Sequence, residues 1–455
     1  MDTLAKLDIL AEAARYDVAC TSSGVSRPAK AGMVGNASPA GCCHSFTPDG
    51  RCVTLLKVLM SNVCSYDCAY CVNRRQATCA RATFAPRELA ELTVDFYKRN
   101  YIEGLFLSSG VLGTPDATTE RMIECLRVLR EELLFNGYVH AKVIPGTSPE
   151  LVDSLGRLAD RLSVNLELPS AGSLSRLCPE KQRQQVLGPM GQIRHTRDQE
   201  ETALLASGKR TRRRALPTHE QEGLALGAGA NRLTLRPRSQ VSARRRSFAP
   251  AGQSTQLIIG ATPETDNHIL QLSQSLYQHF DLKRVFFSAY MPMVADAGLP
   301  ARETPVPLRR EHRLYQADWL MRYYAFTPDE LATPEEPWLD LDVDPKLAWA
   351  LRHIDRFPVE VMDASLTDLL RVPGIGPVGA RRILAARRSG PLSFEDLRAL
   401  KVTLKRACHF LTVAGKRDES CPLDVGLIRE KVIADARQSA YNRTRRMAEG
   451  QLSLF

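Results

Sequence analysis

The stretch Cys64-Ser65-Tyr66-Asp67-Cys68-Ala69-Tyr70-Cys71 carries three thiols at spacings of four and three residues. It follows the apolar run VTLLKVLM at 53–60, whose length and β-branched content predict a buried strand. The cysteines therefore lie on the loop at the carboxyl end of that strand. Thiolates are soft ligands that suit zinc or iron–sulfur centres, which usually have four ligands. Three thiols from one loop indicate a site with one coordination position open; a zinc loop or three structural thiols are the alternatives.

Beyond this loop, the sequence alternates between helical and strand patterns. Helices are predicted at 86–100, 118–135, 148–158 and 265–280, and strands at 104–108, 138–144, 161–168, 256–260 and 284–289. Counted from residue 53, the pattern gives six βα repeats. This alternation predicts an α/β fold with a parallel sheet or barrel. Such sheets place functional groups at the carboxyl ends of their strands, where the thiols also lie.

The segment CSYDCAYC resembles the CxxxCx(aromatic)C signature of the radical S-adenosylmethionine (SAM) superfamily. The resemblance implies that Cys64, Cys68 and Cys71 hold three irons of a [4Fe–4S] cluster, and that SAM chelates the fourth iron. It implies that Tyr70 packs against SAM. One electron, from a donor such as flavodoxin or ferredoxin, would cleave SAM to a 5′-deoxyadenosyl radical that abstracts hydrogen from a substrate. The six repeats match the partial (β/α)6 barrel of that superfamily.

Further SAM contacts follow from the same resemblance. The strand end Ile259-Gly260 is similar to a GxIxG-like motif that contacts adenine, and Ala261 and Glu264 follow it at a helix N-terminus. Ser108-Ser109-Gly110 stands where the superfamily usually has Gly-Gly-Glu, a departure that puts the contact with the SAM amino group in doubt. Glu167, in the fourth strand, is either a ligand of the SAM ribose or amino group or a satisfied polar residue. Candidates by residue type alone for handling a substrate radical are Cys178, Tyr290 and Cys125.

Composition sets the broad class of the protein. The chain has 455 residues, 44% hydrophobic and 25% charged, which is typical of two to three globular domains. The sequence has no apolar run of 18 residues and no signal-peptide pattern, so we expect a soluble, cytoplasmic protein without a membrane partner. In that compartment its 12 cysteines indicate metal ligands or reduced thiols. The net charge of +10 favours an acidic partner, nucleic acid first.

The positive charge is concentrated in one segment. Residues 181–247 contain 15 Lys and Arg against 5 Asp and Glu, an excess equal to that of the whole chain. The segment also contains KRTRRR, RPRSQ, a Gly/Ala stretch and almost no aromatic residues. These features predict a mostly disordered insertion over 181–254. Two roles remain open for it, a phosphate-binding arm or a solvated loop.

The N-terminal extension, residues 1–52, begins with a predicted amphipathic helix at 2–16. A second metal site is conceivable in the connection that follows, although the spacings match no known ligand frame and reduced thiols are the alternative. The residues concerned are Cys20, Cys43, His44 and Cys52.

A glycine turn separates two predicted helices near the C-terminus, at 366–371 and 378–388. The glycines of VPGIGP at 372–377 permit a tight turn whose amide groups lie at a helix N-terminus, where phosphate binds well. The segment VPGIGPVGARRIL resembles the helix-hairpin-helix of DNA repair and recombination proteins. By that resemblance Gly374, Ile375 and Gly376 form the hairpin, while Arg381 and Arg382 reinforce contact with phosphate. Such hairpins grip the backbone without reading bases.

Residues 390–411 repeat this layout, but their turn at 401–404 has no glycine, so we expect the second hairpin to be structural. A packing role for both hairpins is the alternative.

The chain ends in QLSLF, which resembles the peptide by which bacterial polymerases and repair proteins dock on the sliding clamp. A tail folded onto its own domain is the alternative. The predicted clamp contacts are Gln451, Leu452, Leu454 and Phe455.

Together these motifs resemble bacterial radical SAM proteins described as putative DNA modification or repair proteins, often linked with a uracil-DNA-glycosylase-like partner. The expected domains are an extension (1–52), a radical SAM core (53–290), a helical linker region (291–357), a small all-α helix-hairpin-helix domain (358–415) and a C-terminal helix and tail (416–455). The expected function is radical modification or repair of DNA. Two alternatives are modification of RNA, especially tRNA, and a non-catalytic clamp-bound DNA adaptor with a structural or redox-sensing cluster.

Overall fold

A computed structural model describes residues 1–14, 42–46, 52–207, 247–422, 424–435 and 437. Within these residues the chain forms two compact units. The first contains residues up to 264 and 272–308, and the second contains 265–271 and the residues from 309 onward. No helix in the described ranges is long and apolar enough to cross a bilayer.

A seven-stranded sheet organises the first unit, and its strands follow chain order. The first strand pairs antiparallel with the second, and the remaining six strands are all parallel. This arrangement confirms the predicted α/β fold with a partial (β/α)6 barrel. The strands are β1 (Cys42–Phe46), β2 (Cys52–Leu59), β3 (Gly104–Ser108), β4 (Tyr138–Lys142), β5 (Arg161–Ser163), β6 (Gln253–Ile259) and β7 (Leu282–Ala289).

Helices connect the parallel strands, and local sequence signals start several of them. The Thr114 side chain caps the helix that begins at Pro115, and proline occupies the first turn of three connecting helices, where its missing N–H costs no hydrogen bond. The helices are α1 (Thr3–Ala14), α2 (Pro86–Lys98), α3 (Pro115–Arg127), α4 (Pro149–Leu158), α5 (Ala171–Leu177), α6 (Arg183–Ala206) and α7 (Asp266–Phe280).

The prediction of a disordered insertion at 181–254 is wrong for its first third, because α6 occupies 183–206. Val186, Met190 and Ile193 are fully buried at helical spacing, so this stripe has a core to pack against. Charge counting concealed the stripe, since the same helix also carries Arg183, Arg194 and Arg197. The sheet resumes at Gln253, and the basic runs KRTRRR and RPRSQ lie outside the described residues.

Two further predicted elements differ in length. The strand predicted at 161–168 is regular only to Ser163. The chain then stays hydrogen-bonded to β6 as far as Glu167, which has a left-handed conformation with φ of 64°. The helix predicted at 118–135 begins earlier and ends in a π-helical turn, Val128–Glu132. The amphipathic helix predicted at 2–16 is α1, in which Leu10 is buried but Leu4, also an apolar residue, is exposed.

The second unit is mostly helical. A short parallel pair, β8 (Val359–Glu360) and β9 (Leu411–Thr412), joins the beginning and the end of its central segment. The helices are α8 (Leu308–Tyr323), α9 (Pro328–Leu331), α10 (Pro345–Arg352), α11 (Leu366–Arg371), α12 (Pro377–Ala386), α13 (Phe394–Ala399) and α14 (Leu404–Ala407). Residues 425–435 are also helical.

A buried arginine fixes the turn between α3 and β4. The Arg130 guanidinium donates to the carbonyl oxygens of Phe135, Gly137 and Leu158 at 2.7–3.1 Å. It also pairs with the Asp160 carboxylate at 2.8 Å, while its own side chain is 2% exposed. Phe135 and Gly137 precede β4, while Leu158 ends α4 and Asp160 precedes β5. Arg130 therefore joins two connections of the sheet.

We expect Arg130→Met to lower the free energy of unfolding of the first unit by about 3 kcal/mol, because the Asp160 carboxylate loses its ion pair and three carbonyl groups lose these hydrogen bonds. Chemical denaturation followed by circular dichroism measures the change. Arg87→Met is the control, since Arg87 pairs with Glu132 at an exposed site and should change the stability little. Equal effects of the two substitutions would contradict the role of Arg130.

Candidate cofactor and metal site

The predicted position of the three cysteines is confirmed. β2 ends at Leu59, and residues 64–71, here called the thiol loop, follow at its carboxyl end. The segment that follows the neighbouring strand β3 holds the start of this loop. The Ser65 N–H donates to the Val111 carbonyl at 2.8 Å, and the Val111 N–H donates to Cys64 Sγ at 3.3 Å. The parallel register of β2 and β3 thus places Cys64 beside the end of β3.

Helix α5 holds the middle of the thiol loop. The Ala69 N–H donates to the Leu177 carbonyl at 2.8 Å, and the Asp67 N–H donates to Glu180 Oε1 at 3.2 Å. Both acceptors lie at or just after the C-terminus of α5, which follows the fourth parallel strand. The loop is therefore fixed from both sides by backbone groups and one carboxylate that lie far from it in sequence.

Arg81 organises the end of the thiol loop. Its guanidinium donates to the carbonyl oxygens of Asn62, Asn73, Arg74 and Ala77. The chain just after the loop therefore curls around this side chain. In that position the Asn73 N–H donates to Cys71 Sγ at 3.4 Å.

These contacts fit the cluster that the sequence motif implies. Two of the three loop sulfurs receive a backbone N–H, and hydrogen bonds of this kind stabilise thiolates bound to iron and tune a cluster's potential. The third sulfur, of Cys68, lies in an apolar cluster of buried residues. We call its other members the apolar wall. They are Leu168, Leu174, Leu177, Cys178, Ala261, Tyr290 and Leu299.

Two largely buried charged side chains, Lys181 and Glu167, lie near Cys68. Lys181 Nζ is 3.7 Å from Glu167 Oε1, and Lys142 Nζ is also 3.7 Å from that oxygen. Burial lowers the pKa of Lys181, but the Cys68 thiolate and the Glu167 carboxylate outweigh burial and raise it above its ordinary value. Sequence reasoning missed Lys181, because the charge count assigned it to the insertion.

The cysteines of the site differ in acidity. A hydrogen bond from the Cys178 thiol and the nearby Lys181 charge outweigh the effect of burial and together lower the pKa of Cys68 to about 7. Burial raises the pKa of Cys71 to about 12. Without a bound cation, Cys68 is thus the thiol of this pair that ionises first, and a metal or cluster would be needed to hold Cys71 as a thiolate near neutral pH.

Several predicted SAM-binding residues lie around this loop. Tyr70 packs against the apolar wall, and burial raises its pKa well above the ordinary value. Ile259 and Ala261 are buried at the end of β6, and Gly260 between them has φ of 84°. A Cβ on Gly260 would lie 2.7 Å from Pro307, so this position favours glycine.

Two of the predicted SAM ligands are engaged with protein groups. Glu264 accepts hydrogen bonds from the Ser170 and Ser173 hydroxyls at 2.5 Å, which anchors the start of α5. Glu167 pairs with the two lysines described above. The alternative interpretation of Glu167, a satisfied polar residue, therefore has direct structural support, while Glu264 has a structural role that the sequence did not indicate.

Of the three candidates for handling a radical, the structure brings two to the thiol loop. Cys178 and Tyr290 belong to the apolar wall beside Cys68. Cys125 is buried in α3 and is absent from that cluster. Residue type alone could not separate the three, because the distinction depends on tertiary contacts.

The glycine turn in the second unit has the predicted order of helices, with 372–376 between α11 and α12. Gly374 has φ of 89°, and a Cβ there would lie 2.6 Å from the Thr403 carbonyl oxygen. The Thr403 N–H donates to the Gly374 carbonyl at 3.2 Å, so the turn of the second helix pair packs on the first. Ile375 is buried, and Arg382 donates to the Leu400 carbonyl at 3.3 Å. Binding of phosphate at Gly376 and Arg381 stays a prediction.

Other predicted sites fall outside the described residues. These are the clamp-binding tail at 451–455 and Cys20. The backbone of Cys43, His44 and Cys52 is described, in β1 and β2, but their side chains are not. The second metal site of the N-terminal extension therefore stays a prediction.

Comparison with known proteins identifies similar structures but no family. No protein-family model and no curated protein matches the sequence. The [FeFe]-hydrogenase maturase HydG from Carboxydothermus hydrogenoformans is similar at 11% identity and a TM-score of 0.37, covering 58% of this chain, and the present chain spans 50% of that protein's length. A second structure of HydG gives 12% identity over 86% of this chain and 81% of that chain, with a TM-score of 0.37. Coproporphyrinogen III oxidase (HemN) from Escherichia coli, a radical SAM enzyme, gives 14% identity over 57% of this chain and 50% of that chain, with a TM-score of 0.32.

Gly110 tests whether the end of β3 sets the geometry of the thiol loop. Its N–H donates to the Ser61 carbonyl at 2.7 Å, and a Cβ on it would lie 2.5 Å from the Val63 carbonyl oxygen. We expect Gly110→Ala to displace the loop and to lower the iron bound after anaerobic reconstitution severalfold, measured as iron and sulfide per chain. Gly188→Ala is the matched control, because nothing lies within 4 Å of the added carbon. Full loading of Gly110→Ala would show that this contact does not matter.

Proposed function

We propose that the protein is a radical SAM enzyme that acts on nucleic acid, with DNA as the substrate. One observation carries the proposal: a loop with three cysteines lies at the carboxyl edge of the six parallel strands, and backbone N–H groups donate to two of its sulfurs. Cys64, Cys68 and Cys71 would hold a [4Fe–4S] cluster and leave one iron for SAM. When bound, the cluster would supply the electron that cleaves SAM to a 5′-deoxyadenosyl radical.

The chain's own residues prepare this site in two ways. The apolar wall excludes water from the side of Cys68, which protects a reactive species from unwanted solvent reactions. Lys181 balances part of the negative charge that several thiolates would bring into a buried place, and Glu167 keeps this lysine in position. By the resemblance to radical SAM enzymes, Tyr70, Ile259 and Ala261 would contact SAM.

The first test is cleavage of SAM by the protein reconstituted anaerobically with iron and sulfide and then reduced with dithionite. We expect release of 5′-deoxyadenosine that rises when duplex DNA is added and falls to background in Cys68→Ala. Cys125→Ala is the matched control: it also removes a buried thiol but lies outside the apolar wall, so it should keep its activity.

Other outcomes separate the alternatives. If release of 5′-deoxyadenosine rises with tRNA and not with DNA, the substrate is RNA rather than DNA. If the protein carries an intact four-iron cluster but does not cleave SAM, the proposal of an enzyme is wrong and a clamp-bound adaptor is favoured. A flavodoxin or ferredoxin as physiological electron donor, and a uracil-DNA-glycosylase-like partner, belong to the same proposal.

DNA binding is assigned to the glycine turn of the second unit. α12 begins directly after Gly376, and its first turn presents free amide groups except at Pro377, which has no N–H. Arg381 and Arg382 lie in the same helix. The second helix pair supports this turn through the hydrogen bond between Thr403 and Gly374. A rigid turn of this kind favours binding to the phosphate backbone in any sequence.

Val378→Asp tests this assignment, because Val378 is 49% exposed in the first turn of α12. A carboxylate there suits the helix dipole, so folding should be preserved, while it repels phosphate. We expect affinity for duplex DNA to fall on the order of tenfold at low salt, measured by fluorescence anisotropy. Leu366→Asp places the same charge at the start of α11, where Leu366 is 38% exposed, and should leave affinity nearly unchanged. Equal losses in both variants would indicate a general charge effect and contradict the assignment.

A further inference from the structure

Three metal-ligating side chains meet in the second unit, away from the thiol loop in sequence. Cys408 and His409 directly follow α14, and Cys421 comes after β9. One ligating atom from each lies within 4.8 Å of the others, and all three residues are buried. None of them was singled out by the sequence motifs, because a Cys-His pair and a cysteine 13 positions from the pair's first residue match no common ligand spacing.

The cluster leaves polar groups incompletely satisfied. His409 is 2% exposed, and its Nδ1 is buried without a hydrogen-bond partner among the described residues. The two sulfurs lie 2.8 Å apart, where one thiol serves only as a weak donor to the other. Burying an imidazole nitrogen without a partner is costly. A metal ion bound to the imidazole and to both sulfurs would therefore stabilise the arrangement.

Turns on both sides position the ligands in advance. The Cys421 N–H donates to the Asp418 carbonyl at 3.1 Å, and Asp418 Oδ1 accepts from the Ser420 N–H and hydroxyl at 3.0 and 2.6 Å. On the other side, the Cys408 N–H donates to the Leu404 carbonyl at 3.0 Å at the end of α14. Backbone hydrogen bonds therefore hold the main chain of both cysteines in place.

We propose that Cys408, His409 and Cys421 bind one zinc ion. Two thiolates and an imidazole are typical zinc ligands, and water completes the tetrahedron. With Zn–S bonds of about 2.3 Å, the sulfurs must separate to roughly 3.7 Å, a small adjustment of two side chains. On binding, each thiol loses its proton to solvent, and the imidazole binds through its unprotonated nitrogen, so no oxidant or reductant is needed.

The site would join the end of the second helix pair to the segment that follows it. Beyond Cys421, the helical residues 425–435 bury Ile428 and Val432 in this unit. Zinc would therefore fasten this helix to α14 and stabilise the second unit, independently of the chemistry proposed for the thiol loop.

Zinc content of the full-length chain, purified under reducing conditions, tests the proposal. We expect one zinc per chain that is lost in Cys421→Ser and in His409→Asn, and retained in Cys125→Ser, which changes a buried cysteine of the first unit. Removal of zinc from the wild-type chain with a strong chelator should lower the melting temperature by roughly 5 °C or more.

X-ray absorption at the zinc edge tests the ligand set without any substitution. Two sulfur ligands, one imidazole and one further light atom are expected, whereas three sulfur ligands would place the zinc on the thiol loop and overturn the proposal. A wild-type chain without zinc would overturn it as well, and so would a disulfide between Cys408 and Cys421, found by mass spectrometry of the same preparation.

Discussion

The parallel pairing of β2 with β3 decides where the three loop cysteines lie. Parallel strands carry their carboxyl ends to the same edge of the sheet, so the thiol loop leaves β2 beside the last residues of β3. The hydrogen bonds between Ser65, Val111 and Cys64 Sγ depend on this register. A shift of one residue would turn the inward side chains outward and would remove those contacts at the same time.

Burial of charge is the second constraint on the site. A lysine and a glutamate are kept in an apolar region only because they pair with one another and lie beside thiols that ionise. The residues just after α5 are held in place by similar contacts. Glu180 accepts a hydrogen bond from the thiol loop, and Lys181 pairs with Glu167. The chain that follows α5 is thus part of the site as well as a connection to α6.

The second unit uses a different principle. Its two helix pairs are short, and a four-residue helix such as α14 has little stability by itself. The backbone hydrogen bond between their turns and the short parallel pair β8–β9 hold them together. Gly374 is required at this contact, because any side chain would meet the opposing carbonyl group. Rigid turns of this type suit recognition of a regular, repeated group such as phosphate.

Local sequence signals determined the order of the elements, the six βα repeats, the position of the thiol loop and the turn at 372–376. Each of these depends on residues that are neighbours in the chain, such as an apolar run followed by cysteines or two glycines before a proline. Tertiary structure alone decided that 183–206 is helical, since Val186, Met190 and Ile193 need a core to pack against. It also decided that Cys178 and Lys181 lie beside Cys68, and that Cys408, His409 and Cys421 meet. These contacts join residues whose local patterns carry no signal of one another, because the free energy that brings them together comes from packing of the whole unit.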